Sequence, residues 1–468
     1  MKLQYSTYLE KAQPAAEKLV RKLSAVFPYA SILGQDSSEE SLSVARSGIN
    51  AGEGGVFTNR GFAVRVHTGT ALCEYSFNEL SEDKIPEIVS KINRLAATCK
   101  NNAPMPADEP AKGEYFSEFE LDPDEVGKAA LIEKLSDARQ RALSHSDKLI
   151  DCMVRMQWCK KHNLFLSANR TLRQSVLWTN MALVALCQKD GDVKDYYSPM
   201  SGLCGAELTE KLTDEKLFST VDSAVELLSS EHIVPGEYEC ICDPEVTGMI
   251  VHEAFGHGVE MDMFVKDRAL AKQYVGKRVA SDLVTMHDGA SAADECATFL
   301  FDDEGNTARD TLVIDKGILV SGYADELSAR RLNVQPTGNG RRESFERKAY
   351  TRMTNTYFET GKDKLEDMIA SVKYGFMLVN PSSGMEDPKN WGIQCMVNVA
   401  KEIKDGKLTG KVFSPIVLTG YVPDLLQSIS MVSDTRELCG TGACGKGYKE
   451  WVKVSDGGPW IKARIRLG

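Results

Sequence analysis

The chain has 468 residues, of which 42% are hydrophobic and 26% are charged, and its formal net charge is −11 at pH 7. This length predicts two or three domains that can each bury a core, and the composition indicates neither a disordered chain nor a fibrous repeat. The acidic charge disfavours broad binding to nucleic acid, because the phosphate backbone carries the same sign.

Residues 1–235 alternate between helical and strand patterns, which predicts an N-terminal α+β domain. Apolar residues recur at helical spacing in four segments, 8–27, 82–98, 123–146 and 206–230. Alternating or β-branched runs predict strands at 61–67, 71–78, 149–158, 163–168 and 175–187. Residues 100–113 are rich in Pro, Asn and Ala and predict a loop.

From about residue 236 the pattern changes to short strands separated by Gly, Asp and Asn turns, such as Asp302–Asn306 and Thr337–Gly340. This predicts a β-rich C-terminal domain over residues 236–468. The exception is the stretch 244–258, which predicts a helix. The expected fold class is therefore α+β, with a mixed N-terminal domain followed by a β-rich domain that carries this helix.

The twelve cysteines are scattered, and no C-x-x-C pair occurs among them. This pattern does not resemble a disulfide framework, so we expect reduced thiols and a cytoplasmic protein. The N-terminus lacks the apolar core of a signal peptide. No window of about 18 uncharged apolar residues occurs, so no membrane span is expected.

The predicted C-terminal helix contains the motif with the most chemical information, His252-Glu253-Ala254-Phe255-Gly256-His257. Side chains five residues apart differ by about 140° around an α-helix, so a regular helix would direct the two imidazoles apart. Two routes bring them together. One is a π-helical turn, and the other is an early helix end at Gly256 and Gly258.

Two imidazoles beside a glutamate are suited to a catalytic metal site. Neutral imidazoles bind Zn²⁺, and Glu253 can take a proton from water whose pKa the metal lowers to about 7. A third protein ligand is then needed, and Cys439 or Cys444 can supply it from a Gly-rich loop, with Lys446 expected to favour the thiolate.

The residues alone leave alternatives to this metal site open. Such short patterns also arise by chance, most cysteines are inert, and Glu260 and Asp262 are close enough to compete as oxygen ligands.

Several separated segments, taken together and in this order, resemble the TldD/PmbA family and in particular its TldD-type members. They cover most of residues 236–456, whereas 61–66 and 75–78 match more weakly. The segments are Val251–His257, Asp302–Gly305, Pro336–Ser344, Arg352–Thr356, Ile429–Val432 and Cys444–Lys446.

The resemblance implies a zinc-dependent protease. By motif, His252 and His257 would be ligands of Zn²⁺, Glu253 would be the general base, and Cys444 would be the third ligand. The family acts on unfolded or flexible peptides, which are held in extended form in a cavity between two subunits. The resemblance therefore also implies a PmbA-type (TldE) partner subunit or a homodimer.

Two questions remain after the resemblance is taken into account. One set of polar residues either lines the substrate groove or holds turns between strands: Asn339, Arg341, Arg342, Asn355 and Thr356. The family is also labelled a modulator of DNA gyrase. The alternative function is therefore a non-catalytic protein that binds gyrase or a partner protein. Residues 381–387 and 447–450 depart from the family pattern, which leaves the peptide specificity open.

Overall fold

The computed structural model describes residues 1–448 and 450–468. The N-terminal part forms an eight-stranded sheet of order β4-β3-β1-β6-β7-β5, with β2 beside β1 and β8 beside β7. The β5–β7 pair is parallel and the other described pairs are antiparallel. The strands are β1 (Tyr29–Ala45), β2 (Gly48–Glu53), β3 (Asn59–His67), β4 (Leu72–Phe77), β5 (Ala111–Phe116), β6 (Leu149–Ser167), β7 (Arg170–Lys189) and β8 (Asp192–Gly202).

Five α-helices accompany this sheet, and the four longer ones pack on it through apolar faces. They are α1 (Thr7–Ser24), α2 (Ile85–Thr98), α3 (Pro123–Val126), α4 (Lys128–His145) and α5 (Asp214–Leu227). In α1, residues Leu9, Ala16 and Leu23 recur at helical spacing and are fully buried. The 3-10 turns Glu82–Lys84 and Ala206–Lys211 precede α2 and α5.

The predicted helices of this part are confirmed, although two of them are interrupted. The helix predicted at 123–146 is divided at Gly127, whose φ of 82° lies outside the helical region. The strands predicted at 149–158 and 163–168 are wrong as separate elements, because both belong to β6. The central strand β1 was not predicted.

The C-terminal part is rich in strands, and the predicted α+β fold class is confirmed. Its strands are β9 (Gly236–Cys242), β10 (Met286–Asp288), β11 (Thr311–Asp315), β12 (Ile318–Leu319), β13 (Gly340–Arg341), β14 (Tyr350–Thr351), β15 (Asn355–Phe358), β16 (Tyr374–Asp387), β17 (Gly392–Lys404), β18 (Lys407–Phe413), β19 (Ile416–Tyr421), β20 (Met431–Cys439), β21 (Ala443–Lys446), β22 (Glu450–Lys453) and β23 (Ser455–Leu467). Its helices are α6 (Pro244–Met249), α7 (Met261–Val265), α8 (Glu326–Leu332), α9 (Leu365–Ala370) and α10 (Val422–Gln427).

Most of these strands form an 11-stranded sheet of order β12-β11-β10-β15-β23-β19-β17-β16-β9, with β18 beside β17 and β20 beside β23. β23 also pairs with β9, so β9, β16, β17, β19 and β23 form a closed ring of paired strands. Helix α6 packs against β16 and β23 of this ring. β13 with β14 and β21 with β22 form two separate hairpins. The ring therefore supports helix α6, which directly precedes the His–Glu motif in the chain.

The segment Asp302–Asn306 connects the C-terminal part to the N-terminal sheet. The carboxylate of Asp303 accepts hydrogen bonds from Gln35 at 3.0 Å and from Asn163 at 3.1 Å. Glu304 pairs with Arg65 at 2.6 Å. The division of the chain into domains 1–235 and 236–468 stays a prediction. Among the described residues, no helix combines the length and the apolar character needed to cross a bilayer.

Candidate metal centre

The two motif histidines lie on a widened turn that follows helix α6. The helix begins at Asp243, whose side chain accepts a hydrogen bond from the Val246 N–H at 2.7 Å, and Pro244 occupies its first turn. The chain continues into a π-helical turn, Ile250–Gly256, and then into a 3-10 turn, His257–Val259.

The π-helical turn brings the two imidazoles together. The N–H of His257 donates to the carbonyl oxygen of His252, a hydrogen bond that spans five residues. The two ring centroids lie 5.1 Å apart with an angle of 87° between the rings. The first predicted route is therefore confirmed. The second is wrong, because Gly256 keeps helical angles of φ −56° and ψ −53°, and a β-carbon there would collide with the sulfur of Met353.

The third side chain of the group comes from the β21–β22 hairpin. The Sγ atom of Cys444 lies 3.7 Å from Nε2 of His257. Ligand atoms of His252, His257 and Cys444 all lie within 4.8 Å of one another, and no second group of this kind occurs in the described part of the chain. The Cys439 thiol instead contacts the hydroxyl of Thr441 at 3.2 Å. The sequence pattern left two cysteines open, and the folded chain brings only Cys444 to the histidines.

The three side chains fit a catalytic zinc ion. Two imidazole nitrogens and one thiolate are donors that zinc prefers, and three protein ligands leave a fourth position open for substrate or water. His252 and Cys444 are only 5% exposed, which limits competition from solvent.

Mutual charge stabilisation favours the thiolate form of Cys444. Burial raises the pKa of its thiol, but His257 and His252 outweigh this effect and lower the pKa well below the usual range. Against the opposing effect of burial, Cys444 and Glu260 raise the pKa of His257 to about 10. Metal binding would release the imidazole protons, because a ligating imidazole must be neutral.

Each histidine also faces a carboxylate through its second ring nitrogen. Nδ1 of His257 lies 3.2 Å from Oε2 of Glu260, and Nδ1 of His252 lies 3.4 Å from Oδ2 of Asp456. Carboxylates in these positions orient ligand histidines in many metal sites. Glu260 therefore lies behind a candidate ligand histidine, and neither it nor Asp262 belongs to the group of three.

Lys446 does not take the role expected of it from the sequence. Its ammonium group lies 2.9 Å from Glu260 and 2.6 Å from Asp262, so its charge is used on these two carboxylates. The cations that hold Cys444 as a thiolate are the two histidines.

Glu253 lies at the edge of the group. Its side chain is 25% exposed, and its Oε2 atom lies 3.8 Å from Nε2 of His257. Burial raises the pKa of this carboxyl. The departing segment 381–387 is the end of strand β16 and packs against the Glu253 side chain at Gly384.

The polar residues predicted either to line a groove or to hold turns are all buried. Asn339 and Thr356 both donate hydrogen bonds to Asp288, and Arg342 pairs with Glu74. Their internal hydrogen bonds favour the second alternative, in which they hold loops and strands in place. The set is Asn339, Arg341, Arg342, Asn355 and Thr356.

Arg352 and Asp456 were missed as contributors to the site. Arg352 is fully buried and donates to the carbonyl oxygens of Cys444 and Glu450, so it holds both strands of the β21–β22 hairpin. In the sequence, Arg352 was marked by its place in the family-like segment Arg352–Thr356. No sequence motif pointed to Asp456. In the departing segment 447–450, Lys449 lies outside the described residues, and the side chain of Tyr448 is 94% exposed.

Comparison with protein families gives a match over this half of the chain. Residues 235–465 match the model of the PmbA/TldA metallopeptidase C-terminal domain.

Curated relatives also match the chain, including the following two. A metalloprotease TldD homolog of Buchnera aphidicola subsp. Acyrthosiphon pisum is 36% identical over 236 residues, which are 50% of this chain and 48% of the relative. A zinc metalloprotease TldD homolog of Saccharolobus solfataricus is 30% identical over 235 residues, 50% of this chain and 52% of the relative. The chain thus spans about half the length of the curated relatives it matches.

A solved structure shares the fold over almost the whole chain. TldE from Thermococcus kodakarensis superposes with a TM-score of 0.76 at 19% identity, covering 97% of this chain and 100% of that chain. At this identity the likeness concerns the fold alone. The domain match and the curated relatives lead to one assignment: the chain belongs to the TldD/PmbA family.

Proposed function

We propose that this chain is a zinc-dependent peptidase that hydrolyses unfolded or flexible peptides. In this proposal His252, His257 and Cys444 hold the zinc ion and Glu253 is the general base. The observation that carries it is the group of three donor atoms within 4.8 Å, next to a partly buried glutamate, in a domain matched to a metallopeptidase family. Relatives named metalloprotease and zinc metalloprotease support the reaction class.

The residues around the group suit peptide hydrolysis. Zinc, when bound, polarises a peptide carbonyl and lowers the pKa of water to about 7. Glu253 takes the proton of the attacking water and delivers it to the leaving amine. Burial raises the pKa of Glu253 toward neutral pH. A carboxyl with such a raised pKa can both accept and release a proton during the reaction.

The proposal extends to the partner and the compartment. A TldE protein has the same fold, and we propose that a PmbA/TldE-like subunit or a second copy of this chain completes the enzyme. The net charge of −11 argues against direct binding to nucleic acid. We place the protein in the cytoplasm, where its twelve thiols would stay reduced.

Zinc content tests the metal assignment without needing a partner subunit. Elemental mass spectrometry of the wild type should give about one zinc per chain. Cys444→Ala should lose most of this zinc, whereas Cys439→Ala should keep it. If the wild type holds no zinc even after reconstitution, the peptidase proposal fails, and the non-catalytic gyrase-binding or partner-binding alternative gains support.

A peptidase assay with unfolded protein tests the role of Glu253. Glu253→Gln should lose roughly 100- to 10,000-fold in turnover, as expected for removal of a general base, while its zinc content stays that of the wild type. Full activity in this variant would contradict the assignment of the base. The assay should be run on the chain alone and with a TldE-like subunit, because the enzyme can depend on that partner.

A further inference from the structure

We infer that Lys446 and Glu260 form a buried ion pair that positions His257 and joins the strand carrying Cys444 to the turn carrying the histidines. Both are positioning residues and neither is a metal ligand. The inference rests on the proposed function in one respect, since the group that His257 serves is taken to be a metal site. The inference explains why Cys444 and Lys446 lie two residues apart on one strand.

The alternation of a β-strand places these two side chains on the same face. Residues i and i+2 of β21 point to one side of the hairpin, so Cys444 and Lys446 face the widened turn together. Cys444 reaches His257 Nε2 at 3.7 Å, and Lys446 reaches Glu260, three residues after that histidine, at 2.9 Å. One strand therefore contacts Nε2 of His257 through Cys444 and, through Lys446, the carboxylate that lies against Nδ1 of the same histidine.

The ammonium group of Lys446 is fully used. It donates to Oε2 of Glu260 at 2.9 Å, to Oδ1 of Asp262 at 2.6 Å and to the carbonyl oxygen of Thr351 at 3.0 Å. An ammonium group has three N–H donors, so none is left over. The side chain of Lys446 is 13% exposed and that of Glu260 is 2% exposed. Such a buried pair has a defined geometry that an exposed pair lacks.

The carboxylate of Glu260 carries the effect of Lys446 to His257. The same oxygen, Oε2, contacts both Nζ of Lys446 and Nδ1 of His257. An ionised carboxylate can only accept, so Nδ1 keeps its proton, and the lone pair that Nε2 would gain when metal binding releases its proton faces the metal position. Loss of such an outer partner typically weakens metal binding by roughly 10- to 100-fold.

The backbone around Glu260 is fixed independently of Lys446. Glu260 forms an isolated bridge with Tyr323, and the Met261 N–H donates to the Tyr323 carbonyl oxygen at 2.9 Å. The hydroxyl of Tyr323 donates to the carbonyl oxygen of Gly256 within the widened turn. Because both ends of Glu260 are held, a change at Lys446 acts on the carboxylate and on His257 more than on the path of the chain.

Asp262 offers a matched control, because it shares Lys446 but does not contact His257. It also pairs with Lys266 at 2.9 Å, whose side chain is 44% exposed. Asp262→Asn thus weakens the same buried ion cluster without changing the partner of the histidine. A purely structural role of Lys446 predicts that Asp262→Asn and Glu260→Gln behave alike, whereas a positioning role predicts that they differ.

The experiment measures zinc affinity by competition with a chelator, together with the visible spectrum of the cobalt-substituted protein. Glu260→Gln and Lys446→Met should bind zinc roughly 10- to 100-fold more weakly and shift the cobalt bands. Asp262→Asn and Lys266→Met should stay close to the wild type in both readouts. Lys446→Arg, which keeps the charge, should recover part of the loss seen in Lys446→Met.

The outcomes separate the inference from the proposed function. A folded Glu260→Gln variant with wild-type zinc affinity and cobalt spectrum overturns the inference and leaves the peptidase proposal standing. Equal loss in Glu260→Gln and Asp262→Asn also overturns it, since this indicates a structural role. A wild-type protein that binds neither zinc nor cobalt overturns both. If Lys446→Met does not fold, the comparison of Glu260→Gln with Asp262→Asn still decides the question, because both substitutions preserve side-chain shape.

Discussion

Gly384 lies directly against the side chain of Glu253. A β-carbon at position 384 would lie 2.6 Å from Cγ and 2.8 Å from Cβ of Glu253, closer than real β-carbons approach. These are the inner atoms of the glutamate, so the side chain cannot avoid the contact by moving only its carboxylate. Glu253 can keep its place only while residue 384 has no side chain.

Gly384→Ala is therefore expected to impair catalysis more than metal binding. Displacing the base by about 1 Å costs about 100-fold in rate, whereas the three ligand side chains keep their supports. The measurements are kcat/KM with an unfolded protein substrate and zinc content on the same preparation.

Gly392→Ala is the matched control for this change. Gly392 lies on β17 opposite Asp387, and a β-carbon there meets nothing within 4 Å. This variant should retain wild-type activity. If Gly384→Ala is as active as Gly392→Ala, the contact with Glu253 has no catalytic consequence and the assigned position of the base must be reconsidered.

The sequence predicted the motif better than it predicted the site. The five-residue spacing of His257 from His252 excluded a regular helix with converging imidazoles and required either a π-helical turn or an early end. That argument is local, so sequence periodicity alone supports it. Cys444 could not be chosen over Cys439 on the same grounds, because the choice depends on which face of a distant hairpin meets the helix.

The missed strand β1 shows why polar sequence patterns misled the fold prediction. Its segment Asp36–Glu40 contains five consecutive polar residues, which a propensity argument assigns to a loop. In the fold, the backbone of Glu39 accepts from Gly54 and donates to Thr58, and the Ser37 hydroxyl donates to the Phe57 carbonyl at 2.5 Å. These partners lie in the loop between β2 and β3, further along the chain, so the segment alone does not reveal them.

Tyr323→Phe is expected to loosen the widened turn. The hydroxyl of Tyr323 is fully buried and donates to the carbonyl oxygen of Gly256, the last residue of the turn. Removing it leaves a buried acceptor without its partner, which costs about 1–3 kcal/mol of unfolding free energy. Because His257 follows Gly256, we also expect weaker zinc retention during dialysis against a chelator.

Tyr357→Phe separates the expected loss of stability from the expected loss of zinc retention. Tyr357 donates to the carbonyl oxygen of Ala292 at 2.9 Å, a similar hydrogen bond outside the metal centre. It should lower stability without changing zinc retention. Equal zinc retention in both variants would show that the Tyr323 hydroxyl supports the fold alone.

Arg352→Lys is expected to release the hairpin that carries Cys444. The planar guanidinium reaches the carbonyl oxygens of Cys444 and Glu450 together, a geometry that a lysine ammonium does not reproduce. We expect a lower melting temperature and faster reaction of the Cys444 thiol with a thiol reagent in the metal-free protein. Thiol reactivity, read by mass spectrometry of the Cys444 peptide, is the measurement.

Arg170→Lys provides the comparison for Arg352→Lys. Arg170 is also buried and donates to the Gly305 carbonyl oxygen at 3.0 Å, where the C-terminal part meets the N-terminal sheet. Its variant should lose stability but leave Cys444 as protected as in the wild type. Unchanged reactivity of Cys444 in Arg352→Lys would contradict the role given to Arg352.

Glu74 links the N-terminal sheet to the C-terminal part and should make stability depend on pH. It pairs with Arg342 at 2.8 Å and with Arg65 at 2.6 Å. Burial raises the pKa of its carboxyl, but Arg342 and Arg65 outweigh this and lower it to about 2. A carboxyl whose folded pKa is depressed contributes stability above its unfolded pKa, and this contribution is lost as pH falls toward the folded value.

The wild type should therefore lose stability relative to Glu74→Gln as pH falls from about 4.5 toward 2. Near pH 7 the wild type should be more stable by about 3 kcal/mol, the free energy of a shift of this size. Urea unfolding at a series of pH values measures the difference. Glu87→Gln is the control, since Glu87 is exposed on α2 and pairs with Lys91, and its difference from the wild type should stay small at every pH. A wild-type advantage over Glu74→Gln that does not shrink in acid would mean that the protonated carboxyl of Glu74 stabilises the fold as much as the carboxylate does, and that hydrogen bonding rather than charge joins the two parts of the chain.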